Sequence, residues 1–317
     1  MPSREFQVVC MAILAFAIPT LAIAAEPRGG THSGSNRKKL PVVAFPAIGD
    51  WTPLTRAGVP VGDIVGDGQL ERDLVGDASA PVVYLAWDSR HLFLRIRLDA
   101  TPIQSGSNLR PFAWGMEIDT DGNLSDYEFL LTVDGIANPD VVTLQENTVQ
   151  GSVGDPNDNS EVTLVTYSTS AARVVAAAST FNGTADFFLD WSYPLADLVG
   201  AGIAREATVA LLAGSSNNSR SLANDLASLS GATTTSDLFS DRVVLIPPCS
   251  APDGENLTLQ DTSVLTRESY EVCDTLTVGP GVGVYGPDGE LILRTWSQVV
   301  IDELVVGIDA RLAVENE

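Results

Sequence analysis

Short runs of alternating apolar and polar residues, separated by turn-forming residues, recur along most of this chain and limit the folds it can adopt. The clearest pair is "PVVYLAWD" followed by "HLFLRIRLDA", with only "SR" between them. In the second run, positions 92, 94, 96 and 98 are all aliphatic and share one face of a strand. Because side chains alternate across a strand, many such runs with turns every ~8–12 residues predict an all-β fold, built as an antiparallel β-sandwich.

The pattern divides the chain into two modules. Residues 46–247 carry most of the longer runs and are numerous enough to bury a core of their own. Residues 248–317, which follow the break "IPPCSAPDGEN", hold shorter Val-, Ile- and Leu-rich runs at close spacing. That spacing predicts a small β-solenoid-like or stacked-sheet module. Within the first module, "YPLADLVGAG" is the run that resembles a helix.

The first 25 residues have the build of a secretory signal peptide. Arg4 precedes an apolar run over positions 8–24, which closes on the Ala-x-Ala pattern of Ala22–Ala24. A transmembrane anchor is the alternative, but the run is short for spanning and Pro19 interrupts it. Residues 26–45 are rich in Gly and Ser and predict a flexible leader. We therefore expect a secreted bacterial protein that is extracellular, at the cell surface or periplasmic, with no membrane insertion.

Two cysteines, Cys249 and Cys273, remain once the signal peptide is removed. An even pair in an exported chain predicts one disulfide, here at the entry to the second module. Two free thiols are the alternative.

The charge balance excludes one class of partner. The formal net charge is −23, and the only lysines are Lys38 and Lys39. So acidic a surface repels nucleic acid and anionic lipid, and it suits cations.

One acidic stretch, "WGMEIDTDGNLSDYEFLLTVDG" (114–135), lies between two predicted strands. Calcium prefers six to eight oxygen ligands, which carboxylates and amides supply. The residues that predict a calcium site here are Asp119, Asp121, Asn123 and Asp126. The stretch is not an EF-hand, because Leu124 and Leu130 stand where that loop needs its glycine and bidentate glutamate. A plain hairpin tip is the alternative, since Asp-Gly and Gly-Asn are turn-forming pairs.

A second acidic stretch, "VGDIVGDGQLERDLVGD" (61–77), offers four aspartates separated by glycines: Asp63, Asp67, Asp73 and Asp77. Their spacing fits a loop that folds around a cation. A solvated loop is the alternative.

Three motifs resemble secreted sandwich domains related to family-nine carbohydrate-binding modules and the wider DOMON-like group. They are "VVYLAWDSRHLFLRIRLD", "FPAIGDWTPL" and "WGMEIDTDGN", spread over residues 46–247. The β-rich tail resembles the C-terminal modules of bacterial surface proteins. Such sandwiches bind either sugars or haem, and haem needs axial ligands such as Met with His or Lys. The mature chain offers Met116, with His91 at a hairpin tip and His32 and both lysines in the leader, so haem is not expected.

The aromatic residues predict where a sugar would stack. Trp51 follows Gly-Asp in a loop, and Trp191 follows an aspartate and lies next to Tyr193, so these three are the candidates for a site mouth. Trp87 and Trp114 fall within predicted strands, so we expect them to be core residues. The Ser- and Asn-rich run "LLAGSSNNSRSLANDLAS" (211–228) adds Arg220, because amides, hydroxyls and a guanidinium suit a polyol or carboxylate ligand. An ordinary long surface loop is the alternative there.

Catalytic equipment is sparse. No Gly-x-Ser-x-Gly elbow accompanies His91, and no zinc-like histidine spacing exists. We therefore predict a non-enzymatic binding protein with glycan as its partner and calcium as a candidate cofactor. One alternative is a structural matrix or surface-layer component that assembles through calcium and self-association of the C-terminal module. Another is a polysaccharide hydrolase with paired carboxylates, whose separation the sequence does not reveal.

Overall fold

The computed structural model of this protein describes residues 43–249 and, beyond them, only the backbone of strands between residues 257 and 316. The predicted signal peptide, almost all of the predicted leader, and Cys273 lie outside the described residues. The predicted disulfide and the predicted domain boundaries therefore stay predictions.

Sixteen strands lie in the continuous part. They are β1 (Thr52–Pro53), β2 (Thr55–Arg56), β3 (Val59–Pro60), β4 (Val83–Trp87), β5 (His91–Leu98), β6 (Ile103–Ser105), β7 (Asn108–Leu109), β8 (Ala113–Asp119), β9 (Phe129–Asp134), β10 (Val141–Glu146), β11 (Val162–Ser168), β12 (Ala172–Ala176), β13 (Phe187–Pro194), β14 (Thr208–Ser216), β15 (Asp225–Leu226) and β16 (Val243–Val244). The helices are two 3-10 turns, Ile48–Asp50 and Thr169–Ala171, and two short α-helices, α1 (Leu195–Gly200) and α2 (Thr235–Leu238). Helix α1 falls within the run that the sequence marked as helical.

Two antiparallel sheets carry the architecture. One has the order β1-β4-β5-β13-β12 and the other β11-β10-β9-β8-β14-β15, with β16 paired to β14. Two small hairpins, β2-β3 and β6-β7, lie beside them. The prediction of an all-β antiparallel sandwich is confirmed for this part of the chain.

The core lies between the two sheets, as the alternation of apolar residues requires. The five-stranded sheet contributes positions 92, 94, 96 and 98 of β5, all fully buried. The facing sheet contributes Trp114, Met116 and Ile118 of β8. Trp114 is thus a core residue, as its place in a strand predicts.

Both outer faces are also covered, which is less common in antiparallel sheets. On the seven-stranded sheet, a second apolar cluster packs Leu130 and Leu212 against Leu222 and Phe239 of the long loops. On the five-stranded sheet, Trp51 packs on Phe93. Buried polar groups on these faces are therefore candidates for function or for special stabilisation.

Eight further strands lie towards the C-terminus: Leu257–Leu259, Ser269–Val272, Thr275–Val278, Val282–Val284, Glu290–Thr295, Gln298–Ile301, Leu304–Val306 and Arg311–Asn316. They pair in parallel, unlike the strands of the sandwich. Ser269 is opposite Ile292, and Ile292 is opposite Ala313.

Candidate functional site

Three aspartates from two distant parts of the chain meet at one place. Asp63 and Asp67 lie in the segment between β3 and β4, and Asp225 begins β15. One carboxylate oxygen from each lies within 4.8 Å of the others. Asp63 and Asp225 are 2% and 4% exposed, whereas Asp67 is open to solvent. We call these three residues the first triad.

The loop that carries Asp67 is shaped by a fourth aspartate. The Asp73 carboxylate accepts hydrogen bonds from the backbone nitrogens of Gly66 at 2.8 Å and Gly68 at 2.6 Å. A Cβ at position 68 would lie 2.9 Å from Asp225 Oδ2, and Gly66 has a φ of +84°. The glycines of this stretch therefore allow the backbone to turn tightly against the carboxylates.

In each buried carboxylate of the first triad, one of the two oxygens accepts a hydrogen bond from the described residues and the other does not. Asp63 Oδ1 accepts from the backbone nitrogen of Ser228 at 2.7 Å, and Asp225 Oδ2 accepts from that of Leu74 at 2.5 Å. The other oxygens, Asp63 Oδ2 and Asp225 Oδ1, are buried and have no hydrogen-bond partner within residues 43–249. An ionised carboxylate left in this state is costly unless a cation or a proton compensates it.

Burial raises the pKa of Asp63, and the neighbouring charge of Asp225 raises it further. Burial also raises the pKa of Asp225, against the hydrogen bond from Leu74. The Arg56 guanidinium interacts electrostatically with Asp63, but its N–H groups are directed at the carbonyls of Phe239, Ala227 and Leu238. None of the ion pairs seen in residues 43–249 includes a member of the first triad.

A second triad lies in the turn between β8 and β9, where the sequence predicts calcium. Carboxylate oxygens of Asp119, Asp121 and Glu128 lie within 4.8 Å of one another. Asp119 Oδ1 accepts from the backbone nitrogen of Gly122 at 2.8 Å. Glu128 Oε2 accepts from the backbone nitrogen and the hydroxyl of Thr120 at 2.6 and 2.9 Å.

The second triad is already paired with a positively charged side chain, that of Arg242. Arg242 Nη1 lies 2.6 Å from Asp119 Oδ2, and Arg242 also donates to the carbonyls of Thr120 and Thr208. Since Asp119 is fully buried, this ion pair compensates its charge within the protein. A metal ion here would compete with the guanidinium.

The four residues that the sequence predicts as ligands are only partly brought together. Asp119 and Asp121 belong to the second triad, but Asn123 and Asp126 pair with each other, with Asn123 Nδ2 2.7 Å from Asp126 Oδ2. Asp121 Oδ1 accepts from the backbone nitrogen of Asn123 at 2.7 Å, which is a turn contact. Glu128 replaces them as the third carboxylate of the group.

The predicted aromatic site is not assembled. Trp191 and Tyr193 are fully buried between the sheets, and Tyr193 Oη donates to the Thr143 carbonyl at 2.7 Å. A ligand that meets the folded protein from solvent has no access to either ring. The sequence placed them at a site mouth because an aspartate precedes Trp191, but Asp190 faces the other side of β13.

Trp51 is also largely covered, with 8% of its surface exposed. The Arg95 guanidinium lies 4.0 Å from the centre of its ring and 4.3 Å from that of Phe188. Stacking with an arginine thus occupies the face that a sugar would use.

Arg220 is the predicted ligand-binding residue that the structure leaves exposed. Its Nε donates to the Ser160 carbonyl at 2.7 Å, and the neighbouring Asn218 Nδ2 donates to Asn159 Oδ1 at 2.6 Å. The loop 217–224 is therefore fastened to the loop 147–161, and both present amide groups to solvent.

An apolar cleft of about 200 Å³ lies between the β6-β7 hairpin and β12. Its walls include Ile103, Leu109, Val174 and Leu189, and Arg173 stands at its edge. Arg173 is already paired with Asp190 at 2.8 Å.

Residues 43–249 thus form antiparallel β-sheets that carry two carboxylate triads, and each triad could hold a metal ion such as calcium. Comparisons with known proteins add no relative: no family model, no curated protein and no solved structure matches the chain. Of the helices in the described residues, none has the length and apolarity that a membrane crossing requires.

Proposed function

We propose that this chain is an exported, non-enzymatic binding protein that recognises an extracellular or cell-surface glycan. The proposal rests on a set of exposed polar residues on the loops 147–161 and 217–224, which are hydrogen-bonded to each other. Asn157, Asn159, Asn218 and Arg220 are all open to solvent, and hydrogen bonds hold the loops together. We call these four residues the polar loop surface.

Rigid, exposed amides and a guanidinium suit sugar hydroxyls and carboxylates. Ser221 Oγ donates to Asn157 Oδ1 at 3.3 Å, and the backbone nitrogen of Ser160 donates to the Arg220 carbonyl at 2.8 Å. Because the loops are already ordered, a ligand does not have to order them on binding. Arg220 also provides a positive group on a strongly negative protein, which favours a glycan that carries carboxylates.

Calcium is the candidate cofactor of this function. The turn with the second triad contacts the loop 147–161, since the backbone nitrogen of Gly154 donates to the Ser125 carbonyl at 2.6 Å. A cation bound in that turn would act on a loop that carries half of the polar loop surface.

The proposal is tested by calorimetric titration of the exported protein with a panel of neutral and uronic-acid polysaccharides, with calcium and with a chelator. We expect Arg220→Ala and Asn218→Ala each to weaken the affinity for the bound polysaccharide about tenfold. Gln104→Ala, an exposed change on β6, serves as the control and should leave the affinity unchanged. Wild-type protein that binds no polysaccharide under either condition would contradict the proposal, as would unchanged binding by both loop variants.

A structural role is the second candidate, and the C-terminal strands favour it. These strands pair in parallel, as Leu257 with Leu276, Thr275 with Gln298 and Glu290 with Arg311. Parallel pairing of successive short strands supports a small solenoid-like module. Such a module stacks readily on a copy of itself. Calcium-dependent oligomers in light scattering, without any glycan binding, would favour this role over the first.

A further inference from the structure

We propose that the first triad, Asp63, Asp67 and Asp225, is a calcium site that joins the two sheets of the sandwich. The site is separate from the polar loop surface and does not depend on glycan binding.

Two buried carboxylates of the triad have unused hydrogen-bonding capacity. Asp63 Oδ2 and Asp225 Oδ1 are enclosed by protein and accept no hydrogen bond from residues 43–249. Buried carboxylates in folded proteins are paired, hydrogen-bonded or bound to a metal. The third member, Asp67, reaches the same place from an exposed loop and completes a group of three hard oxygen ligands.

The spacing of the carboxylate oxygens fits a single calcium ion. Calcium–oxygen distances are about 2.3–2.6 Å, so two ligands of one ion are at most about 5 Å apart. The oxygens of the first triad lie within 4.8 Å of one another and therefore fit around a single ion. Gly68 keeps the backbone close to Asp225 Oδ2, where a Cβ would leave only 2.9 Å.

The chemical type of the three ligands indicates which cation the triad would bind. All three protein ligands are carboxylates, which are typical of calcium and magnesium and not of zinc or copper. One of them comes from a glycine-flanked loop with an open side, which tolerates irregular coordination completed by water. Magnesium demands near-ideal octahedral geometry, so the arrangement favours calcium.

The site lies where it would tie the sheets together. The segment that carries Asp63 is bridged to the five-stranded sheet at Leu74–Leu98, while Asp225 belongs to β15 of the other sheet. In the part of the chain that the structure describes, the triad makes two hydrogen bonds across this junction, from Leu74 to Asp225 and from Ser228 to Asp63. A bound cation would replace the repulsion of the carboxylates there with attraction.

The test is a calcium titration of the chelator-treated full chain, followed by thermal unfolding and calorimetry. We expect millimolar calcium to raise the Tm by about 5 °C or more. Asp67→Asn, an exposed change that does not threaten the fold, should weaken calcium binding at least tenfold. Asp225→Asn should unfold at or above the wild-type Tm in chelator, because it removes a buried charge, and should lose the calcium shift.

Two control variants separate this site from general charge effects. Asp50→Asn removes one exposed charge elsewhere, and Asp121→Asn disables the second triad. Asp50→Asn should keep the whole calcium-induced shift, and Asp121→Asn should keep the part of the shift that Asp67→Asn loses. The proposal is overturned if wild-type protein shows neither heat of binding nor a Tm shift. It is equally overturned if Asp67→Asn retains the full shift while Asp121→Asn loses it.

Discussion

Asp190 lies between two arginines on the outer face of the five-stranded sheet. It accepts from Arg95 Nε at 2.7 Å and Nη2 at 2.9 Å, and from Arg173 Nε at 2.8 Å. Arg95 is 1% exposed and is stacked between aromatic rings. The Arg95 guanidinium is therefore a buried charge whose only ionic partner in residues 43–249 is Asp190.

Replacing Asp190 with asparagine should therefore be strongly destabilising. The variant leaves the Arg95 guanidinium buried without a counter-charge, which costs about 3–5 kcal/mol in free energy of unfolding. Urea unfolding measures the loss. Arg173→Gln is the matched control and should cost less than half as much, because the Arg173 side chain is 31% exposed. A loss below about 1 kcal/mol for Asp190→Asn would show that the pair does not hold this face together.

Glu117 presents the opposite situation, a buried carboxyl with no cationic partner among residues 43–249. It lies on β8 facing away from the core and is fully buried, and within those residues neither side-chain oxygen has a side-chain hydrogen-bond partner. Burial raises the pKa of Glu117 well above its usual value of 4.5, and the charges of Asp158 and Asp155 add to the effect. Folding therefore favours the protonated form.

The sign of the pH dependence follows from that raised pKa. The folded state holds the proton more tightly than the unfolded state. The contribution of Glu117 to stability is therefore fully present below about pH 4.5 and is lost as the pH rises towards the folded pKa. Glu117→Gln removes this loss. We expect the variant to be more stable than wild type by the order of 2 kcal/mol at pH 7.5.

Guanidinium unfolding of both proteins from pH 4 to pH 8 measures this difference, which should shrink to nothing at the acidic end. A difference that is constant across the range would mean that Glu117 does not change its protonation on folding.

At the scale of elements, the turn between β8 and β9 is held by an arginine from far along the chain. Arg242 neutralises Asp119 and so weakens the second triad as a cation site. Arg242→Gln should lower the Tm in chelator and, at the same time, increase the calcium affinity of the turn about tenfold or more.

Terbium luminescence, excited through the protein's aromatic residues, follows binding to this turn in an Asp67→Asn background. Arg205→Gln is a control that removes one arginine outside the turn. Unchanged affinity in Arg242→Gln would contradict the idea that the guanidinium competes with the metal.

The strands themselves were largely predictable, because their alternation is a local property. The run from position 91 to 98 became β5 with the predicted face inward, and the helical run became α1. The same local reading failed for Trp191 and Tyr193. An aspartate beside an aromatic residue predicts a site mouth, whereas alternation along β13 sends Asp190 outward and both rings into the core.

At the scale of the whole molecule, the candidate sites depend on contacts that sequence patterns do not reveal. The acidic stretch 61–77 predicts a loop around a cation, but its partner Asp225 lies in the run 211–228, where the sequence indicates only amides, hydroxyls and an arginine as ligand groups. Leu74 and Asp225, which are hydrogen-bonded, are 151 positions apart. The outer cover of both sheets likewise places Glu117 and Arg95 in buried surroundings, where the sandwich pattern alone would leave them at the surface.

A cation at the first triad would complete the junction between the two sheets. An anomalous difference map from crystals of the full chain, grown with terbium in place of calcium, tests this directly. We expect a strong peak about 2.3–2.6 Å from carboxylate oxygens of Asp63 and Asp225. A map with no peak at that position, in crystals whose second triad is occupied, would contradict it.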